Sequence, residues 1–222
     1  NAQVILPLSN YLGDIVKEHY PKKHVETFHQ GINPELWFED EKMELKHPCV
    51  GLVQNATIWE KTKQLLLLKN ILKKMPNVMF YWAGDGVYAN KILPELQKFD
   101  NFKWLGKLQY PDNVRKFLNS IDVYALISGI DMSPLTLQEA QLMQKPVIAT
   151  DVGGIPELMM NNKTGFLIRK DDPLDLFEKL KKLIDDKQIQ ETFGKNGRNF
   201  IEENFHWNII TKNFIKNITE LN

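Results

Sequence analysis

The chain has 222 residues, which fits one large domain or one domain with part of another. Hydrophobic residues make up 43% and charged residues 25%, a composition that excludes intrinsic disorder. The 28 basic and 28 acidic residues cancel, which argues against a nucleic-acid partner, and no apolar run approaches the ~20 residues of a membrane-spanning helix. A single cysteine, Cys49, excludes an internal disulfide and favours a reducing compartment such as the cytoplasm.

Short β-rich runs alternate with helical patterns along the chain. The runs predict strands over residues 4–8, 25–30, 49–53, 78–83, 102–105, 123–127, 147–150 and 165–168. The helical patterns predict helices over residues 11–19, 60–74, 89–99, 113–120, 134–144, 156–160, 173–185, 188–203 and 207–221. Residues 34–48 have weak periodicity and are predicted to form a linker. This alternation predicts an α/β fold with a doubly wound, Rossmann-like parallel sheet and helices on both faces.

Ligands bind beyond the carboxyl ends of the strands in such a sheet, so the loops there are the candidate sites. The segment Gly84-Asp85-Gly86-Val87-Tyr88-Ala89 follows one predicted strand and fits a dinucleotide fingerprint. A nicotinamide site also needs an acidic residue after the next strand, where Gly106-Lys107 stands instead. A tight strand-to-helix turn is the alternative interpretation, and a nicotinamide site is disfavoured.

A second loop leads into the helix predicted to start at Ser133-Pro134. The amides of Leu135 and Thr136 lie in its first turn, where the helix dipole favours an anion. Glu139 follows, flanked by leucines that should face the sheet. An acid in that position is either paired within the protein or used to bind a ligand.

Two further loops carry weaker signals. Gly153-Gly154-Ile155-Pro156-Glu157 follows the strand at 147–150 and by itself indicates a turn. Gly51 is followed by a loop that contains Lys61 and Lys63, and lysines are common on protein surfaces.

Several other kinds of site are excluded because the sequence lacks their motifs. The sequence has no Gly-x-x-x-x-Gly-Lys-Ser/Thr loop and no Gly-x-Ser-x-Gly elbow. Its five histidines show no metal-ligand spacing, and the lone cysteine adds no ligand pair, so no metal site is predicted. The three arginines are Arg115, Arg169 and Arg198, so a bound phosphate would be held by lysines and helix amides.

Taken in order, these motifs resemble the carboxy-terminal, donor-binding half of retaining family-four glycosyltransferases, which have the GT-B fold. The matching motifs are Gly51, Lys61-Thr62, Gly84-Asp85-Gly86, Trp104-Leu105-Gly106, Asp131-x7-Glu139, Pro146-Val147-Ile148-Ala149-Thr150 and Gly153-Gly154-Ile155-Pro156-Glu157. They cover about residues 49–205.

The resemblance also implies a division of the chain. Residues 1–33 would be the remnant of an amino-terminal acceptor domain, 34–48 a hinge, 49–205 the nucleotide-sugar-binding domain, and 206–222 a helix that crosses back to the first domain. The chain starts at Asn1 without a methionine, so we expect that it was cut from a longer protein. Because most of the acceptor domain would then be missing, this chain alone is expected to bind the donor without turnover.

The activity implied is transfer of a sugar from a nucleoside-diphosphate sugar to a glycan, lipid or other acceptor, with retention at the anomeric carbon. No cofactor and no obligatory metal are expected, because amides and basic side chains offset the diphosphate charge. The full-length protein would be cytoplasmic, and the family is compatible with peripheral attachment to a membrane.

Roles for individual residues follow from the same resemblance. Glu139 would hold the ribose hydroxyls, Asp131 the hydroxyls of the donor sugar, and Lys61 the diphosphate, with Lys63 as a rival for that role. These three residues, Asp131, Glu139 and Lys61, form the predicted catalytic set. The predicted donor-binding residues are Gly51, Lys63, Gly84, Gly86, Gly106, Lys107, Ser133, Pro134, Leu135, Thr136 and Glu139.

The sequence departs from the family pattern in three places. Asp131 stands where the family has glutamate, Leu52 replaces an arginine, and the loop from Gly51 to Lys61 is about four residues longer than usual. Two alternatives therefore stay open beside the transferase. They are a GT-B-fold sugar-nucleotide epimerase and a non-catalytic module that binds sugar nucleotides.

Overall fold

The computed structural model describes residues 4–219. Their strands are β1 Val4–Ile5, β2 His24–Val25, β3 Cys49–Val53, β4 Met79–Ala83, β5 Phe102–Gly106, β6 Val123–Leu126, β7 Val147–Thr150 and β8 Gly165–Ile168. Their α-helices are α1 Asn10–His19, α2 Trp59–Thr62, α3 Leu68–Lys74, α4 Ala89–Leu96, α5 Asp112–Ser120, α6 Leu135–Leu142, α7 Pro173–Asp185, α8 Lys187–Phe205 and α9 Trp207–Thr219. Short 3-10 helices span Pro34–Leu36, Lys63–Leu67 and Ile155–Leu158. The last residues of the helix predicted at 207–221 lie outside the described part of the chain.

Six strands form the main sheet in the order β5-β4-β3-β6-β7-β8, and every neighbouring pair is parallel. The chain runs outward from β3 to β5, returns to the centre at β6, and then runs outward to β8. The strand order therefore reverses between β3 and β6, which is the switch point of a doubly wound sheet. The predicted fold class is confirmed.

Both faces of the sheet are covered, and this explains why its strands are apolar at successive positions. All four residues of β6 are buried. Leu52 and Trp82 belong to the core on one face, whereas Tyr124 and Leu126 belong to the core on the other. Full burial of each large apolar side chain contributes roughly 1.5–3 kcal/mol, so these two cores hold the strand ends in place.

The prediction of one continuous helix over 60–74 is wrong in the middle of that range. The helix is broken into α2, the 3-10 helix Lys63–Leu67 and α3. Side chains three residues apart eclipse one another in a 3-10 helix. The tighter winding therefore directs Leu65 and Leu68, both fully buried, onto one core-facing line.

The first described residues form a small unit of their own. Strands β1 and β2 pair in parallel in a two-stranded sheet, with α1 between them. This unit is joined to the main sheet through Glu157, which accepts hydrogen bonds from the amides of Asn10 and Tyr11 at 2.8 and 2.9 Å. His29 Nε2 also lies 2.8 Å from a carboxylate oxygen of Glu157.

The predicted linker is anchored along the surface of the main sheet domain. Trp37 is fully buried, and Arg115 of α5 is paired with Asp40 at 2.9 Å. At the far end of the chain, Trp207 of α9 packs against Gly31, whose missing side chain leaves room for the indole ring. Within residues 4–219, none of the helices combines the length and apolar character needed to cross a membrane.

Candidate functional site

Two adjoining cavities lie at the carboxyl edge of the main sheet, above the switch point between β3 and β6. Their volumes are about 280 and 320 Å³. Val53, Asn55, Leu135 and Thr136 line both of them, so the two form one continuous cleft. We call them the first and second cavity. A parallel sheet of this order binds its ligands at this position.

Glu139 is the buried acid of the first cavity. Helix α6 carries it there, and its residue surface is 2% exposed. Tyr110 donates a hydrogen bond of 3.2 Å to Oε1, whereas Oε2 is buried without a hydrogen-bond partner among the described residues. Burial raises the pKa of Glu139 to about 7, although the Tyr110 hydrogen bond acts in the opposite direction. A buried oxygen without a donor is costly, so this carboxylate suits a ligand that brings hydroxyl donors.

The start of α6 lies between the two cavities. The helix begins at Leu135, and Pro134 is its N-cap with an extended ψ of 107°, so the predicted start at Ser133-Pro134 is wrong by one residue. The carbonyl of Pro134 lies outside the helix and accepts the 3.1 Å bond from Leu137 N. Leu135 and Thr136 are thus the first two helical residues, whose amides have no helical carbonyl partner. Ser133 Oγ is also buried without a hydrogen-bond partner in the described structure.

Lys61 and Asp131 form an ion pair in the second cavity. Lys61 comes from α2 and Asp131 from the loop that follows β6. Both side chains are largely buried, so the positive charge of Lys61 offsets the negative charge of Asp131 inside the cleft. A ligand carrying negative charge would share the ammonium group with Asp131 or take it over.

Gly153 and Gly154 brace the loop that carries Asp131. Gly153 has a φ of +58°, and a Cβ there would lie 2.0 Å from the Asp131 carbonyl oxygen. A Cβ on Gly154 would lie 1.9 Å from the carbonyl oxygen of Met132. The turn that the sequence predicts is confirmed, and its glycines allow two loops to touch through their backbones.

The family model for glycosyl transferases group 1 matches residues 34–200, which is most of the chain. The chain belongs to this family. An uncharacterized glycosyltransferase of Methanocaldococcus jannaschii, MJ1178, is 26% identical over 211 residues, covering 93% of this chain and 56% of the relative. The chain spans about half the length of that curated relative.

Solved structures show the GT-B glycosyltransferase fold. A sucrose-phosphate synthase from Thermosynechococcus elongatus superimposes with a TM-score of 0.85 at 18% identity, covering all of this chain and 59% of that one. Anabaena Alr3699/HepE, solved in complex with UDP-glucose, gives a TM-score of 0.81 at 17% identity, covering 99% and 64%. At such identities the likeness concerns the fold.

In this group 1 glycosyltransferase chain, the glycine turn after β4 packs against the backbone of the loop after β3. Gly84 and Gly86 have φ values of +151° and +145°. A Cβ at either position would strike the carbonyl oxygen of Gln54 or Ala56 at 2.0–2.5 Å. Gly84 lines the first cavity, whereas Gly86 is not among its lining residues. The turn interpretation thus accounts for both glycines.

Gly51, a predicted donor-binding residue, lies outside the cleft. It lies in the middle of β3, and a Cβ there would be 2.6 Å from Ile121 and 2.9 Å from Phe117. Neither cavity includes it. Its role is to let α5 approach the sheet, because a larger side chain would collide with these two residues.

Two other predicted residues follow β5. Gly106 ends the strand with a φ of +70° and open space where a side chain would lie. Lys107 lines the first cavity. Lys63, in contrast, lines neither cavity and pairs at the surface with Glu60 at 2.5 Å.

Sequence reasoning missed Gln54, Asn55 and Tyr110. Gln54 and Asn55 come directly after β3, so the rule that ligands bind beyond strand ends would have found them. Gln54 donates to the carbonyl of Ile127 at 3.2 Å, and its own buried oxygen has no partner among residues 4–219. Tyr110 lies in the connection between β5 and α5, where no periodicity or motif marks it.

Proposed function

We propose that this chain is the donor-binding half of a glycosyltransferase that transfers a sugar from a nucleoside-diphosphate sugar with retention at the anomeric carbon. The observation that carries the proposal is Oε2 of Glu139, which is buried at the switch-point cleft without a partner in the described structure. Ribose presents two neighbouring hydroxyl donors, and an ionised carboxylate presents two acceptor oxygens. Anabaena Alr3699/HepE, which has a similar fold, was solved in complex with UDP and with UDP-glucose.

The remaining parts of a sugar nucleotide match the remaining parts of the cleft. With the ribose on Glu139, the base extends along the first cavity toward Lys107. The diphosphate reaches the amides of Leu135 and Thr136, where the helix dipole is positive, and the ammonium group of Lys61. The sugar then occupies the second cavity beside Asp131.

Charge neutralisation in this scheme comes from the protein. The amides of α6 and Lys61 offset the diphosphate, so no obligatory metal is proposed for the donor site. The acceptor would bind to a part of the protein outside this chain. Donor binding and sugar transfer are therefore separable, and this chain is expected to bind without turnover.

The first experiment is a thermal-shift panel of uridine, guanosine and adenosine diphosphates and their sugars. A ligand that binds the folded state alone raises the melting temperature, so the correct nucleotide should raise it in proportion to the logarithm of its concentration. If none of them shifts the melting temperature at millimolar concentration, the donor-site assignment is overturned.

The decisive variant is Glu139→Gln, which keeps the size of the side chain but replaces one acceptor by a donor. Each hydrogen bond to a charged group contributes ~1.5–3 kcal/mol, so titration calorimetry should show affinity weakened ~10- to 150-fold. Glu157→Gln is the matched control, because Glu157 is already satisfied by donors of the protein. Unchanged affinity in Glu139→Gln would defeat the ribose assignment.

A transfer assay on a protein that includes an acceptor domain separates the transferase from its two alternatives. A transferase consumes the donor only with acceptor present and yields a product of unchanged anomeric configuration. An epimerase interconverts sugar nucleotides without acceptor, and a non-catalytic module does neither.

A further inference from the structure

Three potential metal ligands meet at the edge of the main sheet where β3 and β6 begin, the edge opposite the cleft. They are His47 Nδ1, Cys49 Sγ and Asp122 Oδ, and these atoms all lie within 4.8 Å of one another. Among the described residues no other group of three histidine, cysteine or acidic side chains comes this close. We call these three residues the His-Cys-Asp cluster.

The starts of β3 and β6 bring the cluster together. His47 precedes β3 in a bend, and its Nδ1 lies 3.6 Å from Cys49 Sγ. Val50 of β3 pairs with Val123 of β6, so Cys49 and Asp122, the residue just before β6, are neighbours one step earlier. The bend and the strand register together place the three donors side by side.

We propose that the His-Cys-Asp cluster binds a divalent transition-metal ion, with zinc as the preferred ion. Tetrahedral zinc with ordinary bond lengths holds sulfur and nitrogen ligands about 3.5 Å apart. Cys49 Sγ lies 3.6 Å from His47 Nδ1. Neutral histidine, thiolate and carboxylate together carry two negative charges, which match the charge of the ion.

The distance between His47 and Asp122 also needs little adjustment. His47 Nδ1 lies 2.8 Å from Asp122 Oδ2, so the ion would replace a proton between them and spread the pair to about 3.4 Å. Cys49 N donates to the same Asp122 oxygen at 2.8 Å and would orient the carboxylate as an outer-shell partner. The His47 side chain is half exposed, which leaves room for water as a fourth ligand.

Two lysines face the cluster. Lys187 of α8 lies 3.3 Å from Asp122 Oδ1. Burial raises the pKa of Cys49 to about 12, and the nearby charge of Lys145 opposes this only in part, so the ion would have to displace the thiol proton. Both lysines repel the ion. Lys187 has an exposed side chain and can turn away, so the repulsion from that side is small.

A bound ion would fasten the end of the linker at His47 to the start of β6. Metal binding to a site that exists in the folded chain adds to its stability. The site is remote from the cleft, so this proposal holds or fails independently of the proposed function.

The test uses cobalt as a spectroscopic substitute for zinc, on protein freed of any polyhistidine tag. We expect one cobalt per chain, an absorption band from thiolate to cobalt, displacement of the band by one equivalent of zinc, and a higher melting temperature with zinc. Cys49→Ser should abolish the band, and His47→Asn should weaken binding about tenfold or more. His19→Asn, which changes an exposed histidine of α1, is the matched control and should leave binding unchanged.

The wild-type spectrum decides the question even where a variant fails to fold. Absence of the thiolate band at millimolar cobalt overturns the proposal. Cobalt binding that survives Cys49→Ser and His47→Asn with an unchanged spectrum also overturns it, because the ion would then lie elsewhere.

Discussion

Two glutamates at the carboxyl edge of the sheet, Glu139 in the cleft and Glu157 in the turn after β7, lie in opposite environments. Within the part of the chain that the structure describes, Glu139 accepts one hydrogen bond, from Tyr110, and burial raises its pKa to about 7. Burial also acts to raise the pKa of Glu157, but the amides of Tyr11 and Asn10 together with His29 outweigh it and hold the pKa below its ordinary value. The fold therefore satisfies the Glu157 carboxylate itself, whereas one oxygen of Glu139 has no donor among the described residues.

The largest effect expected from this contrast concerns stability at Glu139. The folded protein keeps this proton up to about pH 7, whereas an unfolded chain releases it near the ordinary value of 4.5. The folded state therefore loses about 3 kcal/mol as pH rises between these values. Glu139→Gln removes the ionisation, so the variant should be more stable than wild type at pH 8 and equal to it near pH 4.5.

Urea unfolding of both proteins at intervals between pH 4.5 and 8 measures the difference. The contrast with Glu157 would break down if the variant and the wild type differed by the same amount at every pH, since Glu139 would then ionise normally in the fold.

The next effect concerns Lys61 in the second cavity. Lys61→Ala removes the ammonium group and leaves Asp131 unpaired beside the diphosphate position. A charge-assisted hydrogen bond contributes ~1.5–3 kcal/mol, so affinity for nucleoside diphosphate should fall at least tenfold while affinity for the nucleoside stays nearly unchanged. Titration calorimetry with both ligands measures this.

Lys63→Ala is the control, since its ammonium group pairs with Glu60 at the surface. A loss of affinity in Lys63→Ala but not in Lys61→Ala would show that the diphosphate binds to Lys63 and that the assignment to Lys61 is wrong. If neither variant loses affinity, the amides of α6 hold the diphosphate alone.

A smaller effect is expected at Glu157. Glu157→Gln retains one acceptor oxygen and loses the charge, so unfolding should become easier by about 1–2 kcal/mol. The cost should be local. Hydrogen exchange of the Asn10 and Tyr11 amides should accelerate, while nucleotide affinity stays intact. Unchanged protection of both amides would show that Glu157 does not hold α1 in place.

Much of this fold could be predicted because its signals are local. Strand β3 has the predicted bounds Cys49–Val53, since a short apolar run with β-branched residues specifies a strand covered on both faces. The importance of Glu139 was also predictable, because leucines around it required burial of an acid. The glycines and proline before Glu157 predicted a turn. The hydrogen bond that Glu157 accepts from Tyr11 N could not be predicted in this way, because the two residues are 146 positions apart.

Other features depend on three-dimensional contacts that a single sequence does not encode locally. Gly51 matches a ligand-binding motif, but its small size serves the approach of Phe117. Tyr110 reaches Glu139 from a loop without a pattern. The ion pair of Lys61 with Asp131 joins helix α2 to the loop after β6, and the strand order brings these two segments together. The helix at 60–74 breaks because core packing outweighs its helical propensity.

The chain enters and leaves the main sheet domain at a single place. Ile32 forms a parallel bridge with His206, with hydrogen bonds from Ile32 N to Phe205 O at 2.8 Å and from Trp207 N to Ile32 O at 3.3 Å. The two ends of the segment 34–205 therefore lie side by side. Such a segment suits circular permutation or transplantation between relatives, because one short junction, rather than two distant ones, has to be matched.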